Sequence, residues 1–245
     1  MVSPVHRYQR EMHDNIGFFA TWLPGDLLEL GDIGTLKDGT FRKRSSFREL
    51  GIKCQESMRG ASQNLQYTSK SGTTFSVDSS IAAPKPLDIA AAIKVEFSSE
   101  GSFLFHAMNV RNRRLENNAS LTEAMLEVWN SGKWEKDWYV VESIHEADCA
   151  TVIVSEDISA GVTFNAKGAL GGLPLADPQV TLSISSSRGK MAQIIAGRYV
   201  RPLYSCLRVR AGWFSGPSVE PVRGETATPG NSPFVRPGIM ELLES

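Results

Sequence analysis

Residues 158–167, Ile-Ser-Ala-Gly-Val-Thr-Phe-Asn-Ala-Lys, set Ile158, Ala160, Val162, Phe164 and Ala166 against Ser159, Gly161, Thr163, Asn165 and Lys167. Successive strand side chains point to opposite faces, so this alternation makes a strand with one apolar and one polar face. A second run follows the turn region Gly171–Pro178 and sets Val180, Leu182 and Ile184 against Thr181, Ser183 and Ser185. The two runs form a long hairpin. Such a hairpin suits a half-buried sheet. It equally suits entry into a bilayer, where alternation must hold over roughly 9–11 residues per strand.

A second hairpin of the same kind is expected between Ser62 and Ser99. Leu65, Tyr67, Phe75 and Val77 alternate with Gln66, Thr68, Thr74, Ser76 and Asp78, and Ile93, Val95 and Phe97 alternate with Lys94, Glu96 and Ser98. Ala82 to Pro86 interrupts the run, and Leu87 to Ala92 reads as a helical turn or further strand.

Around these hairpins the chain spells out other elements. Val5, Tyr8, Met12 and Ile16 predict an amphipathic helix over residues 3–16, closed by Gly17. Phe18–Trp22 and the Leu27, Leu28, Leu30, Ile33 run predict short strands, with Asp38-Gly39 as a tight turn. Leu121–Ser131 predicts a second helix, with Ser120 and Glu123 as a capping box and Gly132 beyond its end. Trp138 to Val141 is apolar on both faces and reads as a central strand. Ile194 and Ile195 lead into Tyr199–Phe214, a further strand or two broken by Pro202. After Gly216, five prolines and three glycines argue against regular structure before Ile239. The expected division is a body of residues 1–214 and a flexible arm of residues 215–245. Phe234, Val235, Ile239, Leu242 and Leu243 give that arm an apolar patch that gains by docking on the body.

The composition excludes several classes of function. The chain has 245 residues, 41% hydrophobic and 22% charged, with net charge −1, which excludes a strong polyanion-binding domain as a whole. Nucleic acid is not an expected partner. Basic residues nonetheless cluster, as Arg42, Lys43, Arg44, Arg48 and Lys53 and as Arg111, Arg113 and Arg114, in loops able to face phosphates or plain solvent. No apolar stretch nears the roughly 18 residues of a membrane helix, and the N-terminus lacks a signal-peptide core, so the intact chain is expected in the cytoplasm. The three cysteines, Cys54, Cys149 and Cys206, form neither a disulfide framework nor a zinc knuckle. No metal, cofactor or catalytic residue is called. His145 and Cys149, four residues apart, are the only pair worth weighing for an enzyme, and structural zinc sites need three or four ligands.

The order of these pieces resembles the bacterial gasdermins. The likeness covers roughly residues 1–214: an N-terminal helix, a Ser/Thr-rich hairpin, the Phe105–Val110 segment, a capped helix, Trp138-Tyr-Val-Val-Glu, a second hairpin and an aromatic-ending strand. The resemblance implies an α+β fold, a twisted, mainly antiparallel central sheet with peripheral helices. It implies an autoinhibited monomer whose C-terminal segment is removed by an activating protease. The freed body would then assemble as a homo-oligomeric pore in the inner membrane, on anionic lipids, and kill the cell in antiphage defence. The hairpin residues above would insert, the two arginine clusters would contact lipid phosphates, and residues 234–243 would hold the body inactive. Removing residues 217–245 leaves 24 basic against 23 acidic residues, a change in net charge from −1 to +1. Two features depart from the family. There is no cysteine before Cys54 to carry a lipid, and Pro84, Lys85, Pro86 and Asp88 occupy the first hairpin's tip. The rival reading is a non-catalytic β-rich module that binds a ligand or a protein.

Overall fold

The computed structural model describes residues 3–22, 28–37, 40–57, 61–78, 90–116, 119–167, 181–196, 199–212 and 216–222. Helix α1 (Pro4–Ile16) is followed by strands β1 (Phe19–Ala20), β2 (Asp32–Lys37), β3 (Thr40–Ser46), β4 (Gln63–Thr68), β5 (Thr73–Asp78), β6 (Ala90–Phe97) and β7 (Phe103–Arg114). Helix α2 (Ala119–Asn130) precedes β8 (Tyr139–Ala147), β9 (Cys149–Ser155), β10 (Gly161–Lys167), β11 (Thr181–Arg188), β12 (Met191–Ala196), β13 (Val200–Gly212) and β14 (Gly216–Val222). The described residues therefore make a mostly antiparallel α+β fold, as the resemblance implies.

Two sheets divide the strands. The large one runs β1-β13-β8-β7-β9-β12, with β14 on β13, the β2–β3 hairpin on β8 and β4 on β7. The small one runs β11-β10-β6-β5. Strand β8 is central, as its two-faced apolarity predicts: β13 lies along one side, β2 and β7 along the other.

Both helices cover parts of the large sheet because their apolar spacing demands it. On α1, Tyr8 and Met12 are one turn apart and wholly buried among Leu65, Phe103, Phe105 and Val152. Gly17 ends the helix in the left-handed conformation, φ +77°, and donates to the His13 carbonyl at 2.9 Å. On α2, Leu121 and Met125 pack with Trp134, Trp138, Ile33, Val140 and Leu207. This helix already includes Ala119 and Ser120, so Ser120 is not its cap.

Strand β7 faces two ways. Phe103, Phe105 and Ala107 point into the core under α1, whereas Leu104 points to the opposite side and meets the small sheet. Strand β9 does the same, with Val152 and Val154 under α1 and Ile153 against the small sheet.

Four short connections join the sheets: Ser69–Gly72, Ser98–Ser102, Glu156–Ala160 and Gly189–Lys190. All lie at the row where Thr73 pairs with Phe97, and Gly161 with both Glu96 and Arg188. A knot of hydrogen bonds ties them. Ser98 N–H donates to Gly72 O at 2.8 Å, Ser155 N–H to Ser102 O at 2.8 Å, and Phe103 N–H to Ser69 Oγ at 3.2 Å. Gly72, φ +85°, must remain glycine here, because an added Cβ would lie 2.4 Å from the Ser102 and Ser99 hydroxyls.

Several boundaries differ from the sequence reading. Strand β4 leaves the predicted first hairpin and pairs with β7, because Leu65 and Tyr67 find the α1 core. Strand β2 starts at Asp32, after Leu28 and Leu30. Pro202 does not break β13, since it sits in a bulge between Val200 and Leu203 where its carbonyl accepts from Thr21 N–H. Regular structure, expected to stop near Phe214, continues beyond it. Residues 216–222 form β14, pairing with β13 from Gly216↔Gly212 to Val222↔Cys206. Pro217 and Pro221 are tolerated because β14 pairs on one side alone among the described residues.

Burial puts two polar groups under strain. His106 and His145 are buried, which holds each imidazole down at about 4 from its ordinary 6.5. The charged form is disfavoured only when folded, so stability is complete above pH 6.5 and drains away as pH falls through 4. Each histidine accounts for up to about 3 kcal/mol of that loss. Urea denaturation at stepped pH should show a smaller drop for His145→Gln than for the native chain, and an identical drop would refute the assignment. Tyr8 carries a buried hydroxyl without a hydrogen-bond partner, 4.8 Å between its ring centre and that of Phe103. Tyr8→Phe should therefore be neutral or stabilise by about 1 kcal/mol in the same measurement.

Candidate functional site

The small sheet collects the two alternating runs that the sequence puts some 70 residues apart. Strands β5 and β6 form one hairpin, β10 and β11 the other, and β6 pairs directly with β10. The register is consistent across all four strands. Val77, Ile93, Phe164 and Ile184 form one row, and Phe75, Val95 and Val162 the next. Leu182 stands opposite Ala166, itself opposite Ala91. A bulge on β11 between the pairs Thr163↔Ser186 and Phe164↔Ile184 keeps Ile184, rather than Ser185, in the apolar row.

That apolar side is hidden. Ile93, Val95, Phe97, Val162 and Phe164 are buried in one cluster with Leu104 and Ile153 of the large sheet. The other side is polar and wet. Thr163 lies opposite Lys94, whose ammonium meets Glu96 Oε1 at 2.9 Å, and Arg188 reaches the same oxygen at 3.8 Å. Alternation in the sequence and burial in the fold therefore agree on β6 and β10.

Three residues expected to share this face do not. Leu65 and Tyr67 lie on β4, where the Tyr67 ring stacks on Phe103 at 5.7 Å; burial, then the Glu11 carboxylate, raises its phenol to about 12. Ile158 is 73% exposed in the turn before β10. Val180, Phe234, Val235, Ile239, Leu242 and Leu243 fall outside the described residues, as do Trp213 and Phe214.

The basic clusters separate into free and engaged side chains. Arg42 and Arg44 on β3, Arg48 just beyond it and Arg114 at the end of β7 are exposed and make no side-chain bond among the described residues. Lys43 is held by Asp32 at 2.6 Å. Arg113 is a structural residue: its side chain is 16% exposed and bridges Glu56 at 2.7 Å and Glu146 at 2.6 Å. Glu146 also meets Arg201 at 3.8 Å, and Arg201 meets Glu29 at 2.8 Å. Arg111 is tied to Asp148 at 3.3 Å. Arg111, Arg113 and Lys43, expected at lipid phosphates, are thus each paired here with a carboxylate that the fold brings beside them.

No protein-family model and no curated protein sequence matches the chain. Among solved structures, the cryo-EM structure of the gasdermin A3 membrane pore is similar over 86% of this chain and 94% of that chain, at 12% identity and a TM-score of 0.26. The similarity is broad in coverage and distant in geometry.

His145 lies against Phe18, 4.4 Å between ring centres, and Cys149 is buried at the start of β9. Among the described residues, no group of three His, Cys, Asp or Glu side chains is placed to hold a metal. Sequence reasoning missed Leu104 and Ile153, which cover the hairpins. Their signal was present: residues 149–155 are apolar or small on both parities, the mark of a strand buried on two faces.

The ion network yields a test. Arg113→Met leaves Glu146 and Glu56 short of their closest cation and should cost about 1–3 kcal/mol, discounted for partial exposure. Arg114→Met should stay within about 0.5 kcal/mol. Urea midpoints of the two variants compare them directly, and equal values would overturn the division into engaged and free arginines.

Proposed function

We propose that this chain is a gasdermin-like pore-forming protein, held inactive by its C-terminal segment and converted to a membrane-spanning oligomer when a protease removes that segment. One observation carries the reading: two remote hairpins unite in one four-stranded sheet, apolar on one side and polar on the other, with the apolar side covered only by packing.

The strands as folded are too short to cross a bilayer. They have 6, 8, 7 and 8 residues, against roughly 9–11 for a spanning strand. Their registers supply the missing length. Continued pairing from Asp78↔Ala92 closes the first hairpin at Lys85, and from Lys167↔Thr181 closes the second at Pro174. The β6·β10 register brings Lys85 level with Gly172, so both tips end at nearly the same height. Lengthened in this way, the apolar face gains Ile81, Ala83, Leu87, Ile89, Leu170 and Val180, with Ser79 a polar exception. The other face gains Asp88, Asp177 and Gln179. In that lengthened hairpin Pro84 and Pro86 would flank the turn and interrupt no strand.

Closure of such sheets into a ring satisfies every backbone group without water, and this favours a homo-oligomer over an isolated inserted hairpin. Arg42, Arg44, Arg48 and Arg114 are the free cations suited to anionic headgroups at about 1 kcal/mol each. The activating cut falls after Val222, since β14 belongs to the body. It removes Arg223 and Arg236 with Glu225, Glu241 and Glu244, and so raises the net charge from −1 to 0. In a bacterial cell the target would be the inner membrane and the outcome death of the infected cell.

Dye release from anionic liposomes tests the reading. The chain ending at Val222 should leak dye and the intact chain should not. Within the truncated chain, Val180→Lys should abolish leakage and Gln179→Lys should preserve it, because a lysine on the lipid side costs about 2–4 kcal/mol at mid-bilayer and nothing comparable in a lumen. A folded truncated chain that never leaks would leave the binding-module reading in its place.

A further inference from the structure

The seam between the two sheets contains a buried titratable side chain that the pore reading does not use. On β7, alternation sends Phe103, Phe105 and Ala107 toward α1 and Leu104 toward the small sheet, which puts His106 on the small-sheet side, one row beyond Leu104. His106 is 4% exposed, and its Nδ1 is buried without a hydrogen-bond partner. Its register neighbours are Gln66 on β4 and Thr151 on β9. Both are uncharged.

Among the described residues, the surroundings offer a cation nothing. From the small sheet, Ile93 and Val95 of β6 and Val162 and Phe164 of β10 face the body, and all are apolar. The charged residues of that sheet, Asp78, Lys94, Glu96, Lys167 and Arg188, all fall at register positions of its polar side. On β9 the titratable group of this face is the Cys149 thiol, one row past Thr151, and on β12 Ile195 pairs with Thr151. No carboxylate among the described residues shares the His106 row. A proton arriving on the ring would be a buried charge, uncompensated among the described residues, between two sheets whose described ties all lie at one end.

We propose that His106 is an acid-sensitive latch, and that its protonation releases the small sheet from the body. The inference rests on the reading of that sheet as the part that detaches. Lifting the sheet lets water reach the imidazole, so the lifted form takes up a proton that the closed form refuses. With the ring held at about 4 when covered and free to titrate near 6.5 when open, the opening equilibrium rises about tenfold between pH 7.5 and 5.5. Acidification and tail removal act on the same seam by separate routes.

Hydrogen–deuterium exchange of the intact chain, without membranes and corrected for intrinsic rates, reads the latch directly. Peptides from β6 and β10 should open about tenfold more at pH 5.5 than at 7.5. His106→Gln and His106→Leu should each reduce that ratio to below about twofold, whereas His145→Gln should leave it unchanged. The proposal falls if the native hairpin peptides show no pH response. It falls equally if the response survives in both His106 variants or vanishes in His145→Gln. Liposome leakage of the chain ending at Val222, measured at the two pH values, separates this failure from that of the pore: exchange that responds to pH while no dye is ever released sinks the pore reading and leaves the latch standing.

Discussion

Everything in this molecule depends on the contact of Leu104 and Ile153 with the apolar side of the small sheet. Strands β7 and β9 are pressed between α1 and that sheet, so each must be apolar on both parities. Were the contact absent, the small sheet would expose Ile93, Val95, Val162 and Phe164 to water, at about 25 cal/mol for each Å² uncovered. An amphipathic sheet with its greasy side covered is a stable soluble element; uncovered, it needs another apolar phase. Storage and deployment are the same interaction in two solvents.

The electrostatic layout complements this. The chain Glu56, Arg113, Glu146, Arg201 and Glu29 runs across β7, β8 and β13 and fixes the middle of the large sheet. Such partly buried pairs add little net stability but penalise misregister, because a slipped strand would strand a charge. The large sheet is therefore held by ions and helices, while the described residues of the small sheet beyond its attached end are held by dispersion and hydrophobic burial.

The hairpin strands were legible because their signal is local. Alternation in residues 161–167, 181–184, 73–78 and 93–97 predicted which residues share a face, and the backbone register sets the apolar positions of neighbouring strands opposite one another. The α1 helix was legible for the same reason, through Tyr8, Met12 and Ile16. What the sequence did not disclose is who pairs with whom. The union of β6 with β10 links residues some 70 positions apart, and no periodicity encodes that choice. Leu65 and Tyr67 look like hairpin residues because β4 has the same period of two, and only the docking of α1 recruits them elsewhere. Arg113 looks like a free cation until β8 brings Glu146 beside it. Proline density misled at residues 216–222, since an edge strand asks for backbone hydrogen bonds on only one side.

The four connections between the sheets leave from a single margin, so the small sheet is bound to the body as a page is bound to a spine. Turning it outward disturbs none of its own ladder and none of the ladder beneath. The obstacle to turning is then an area to be wetted rather than a set of hydrogen bonds to be cut. Such an obstacle weakens on cooling and strengthens with excluded salts, in the manner of any oily surface. The hinge would thus be set by the solvent's cohesion, a property that changes at once over the whole page when a lipid surface replaces water.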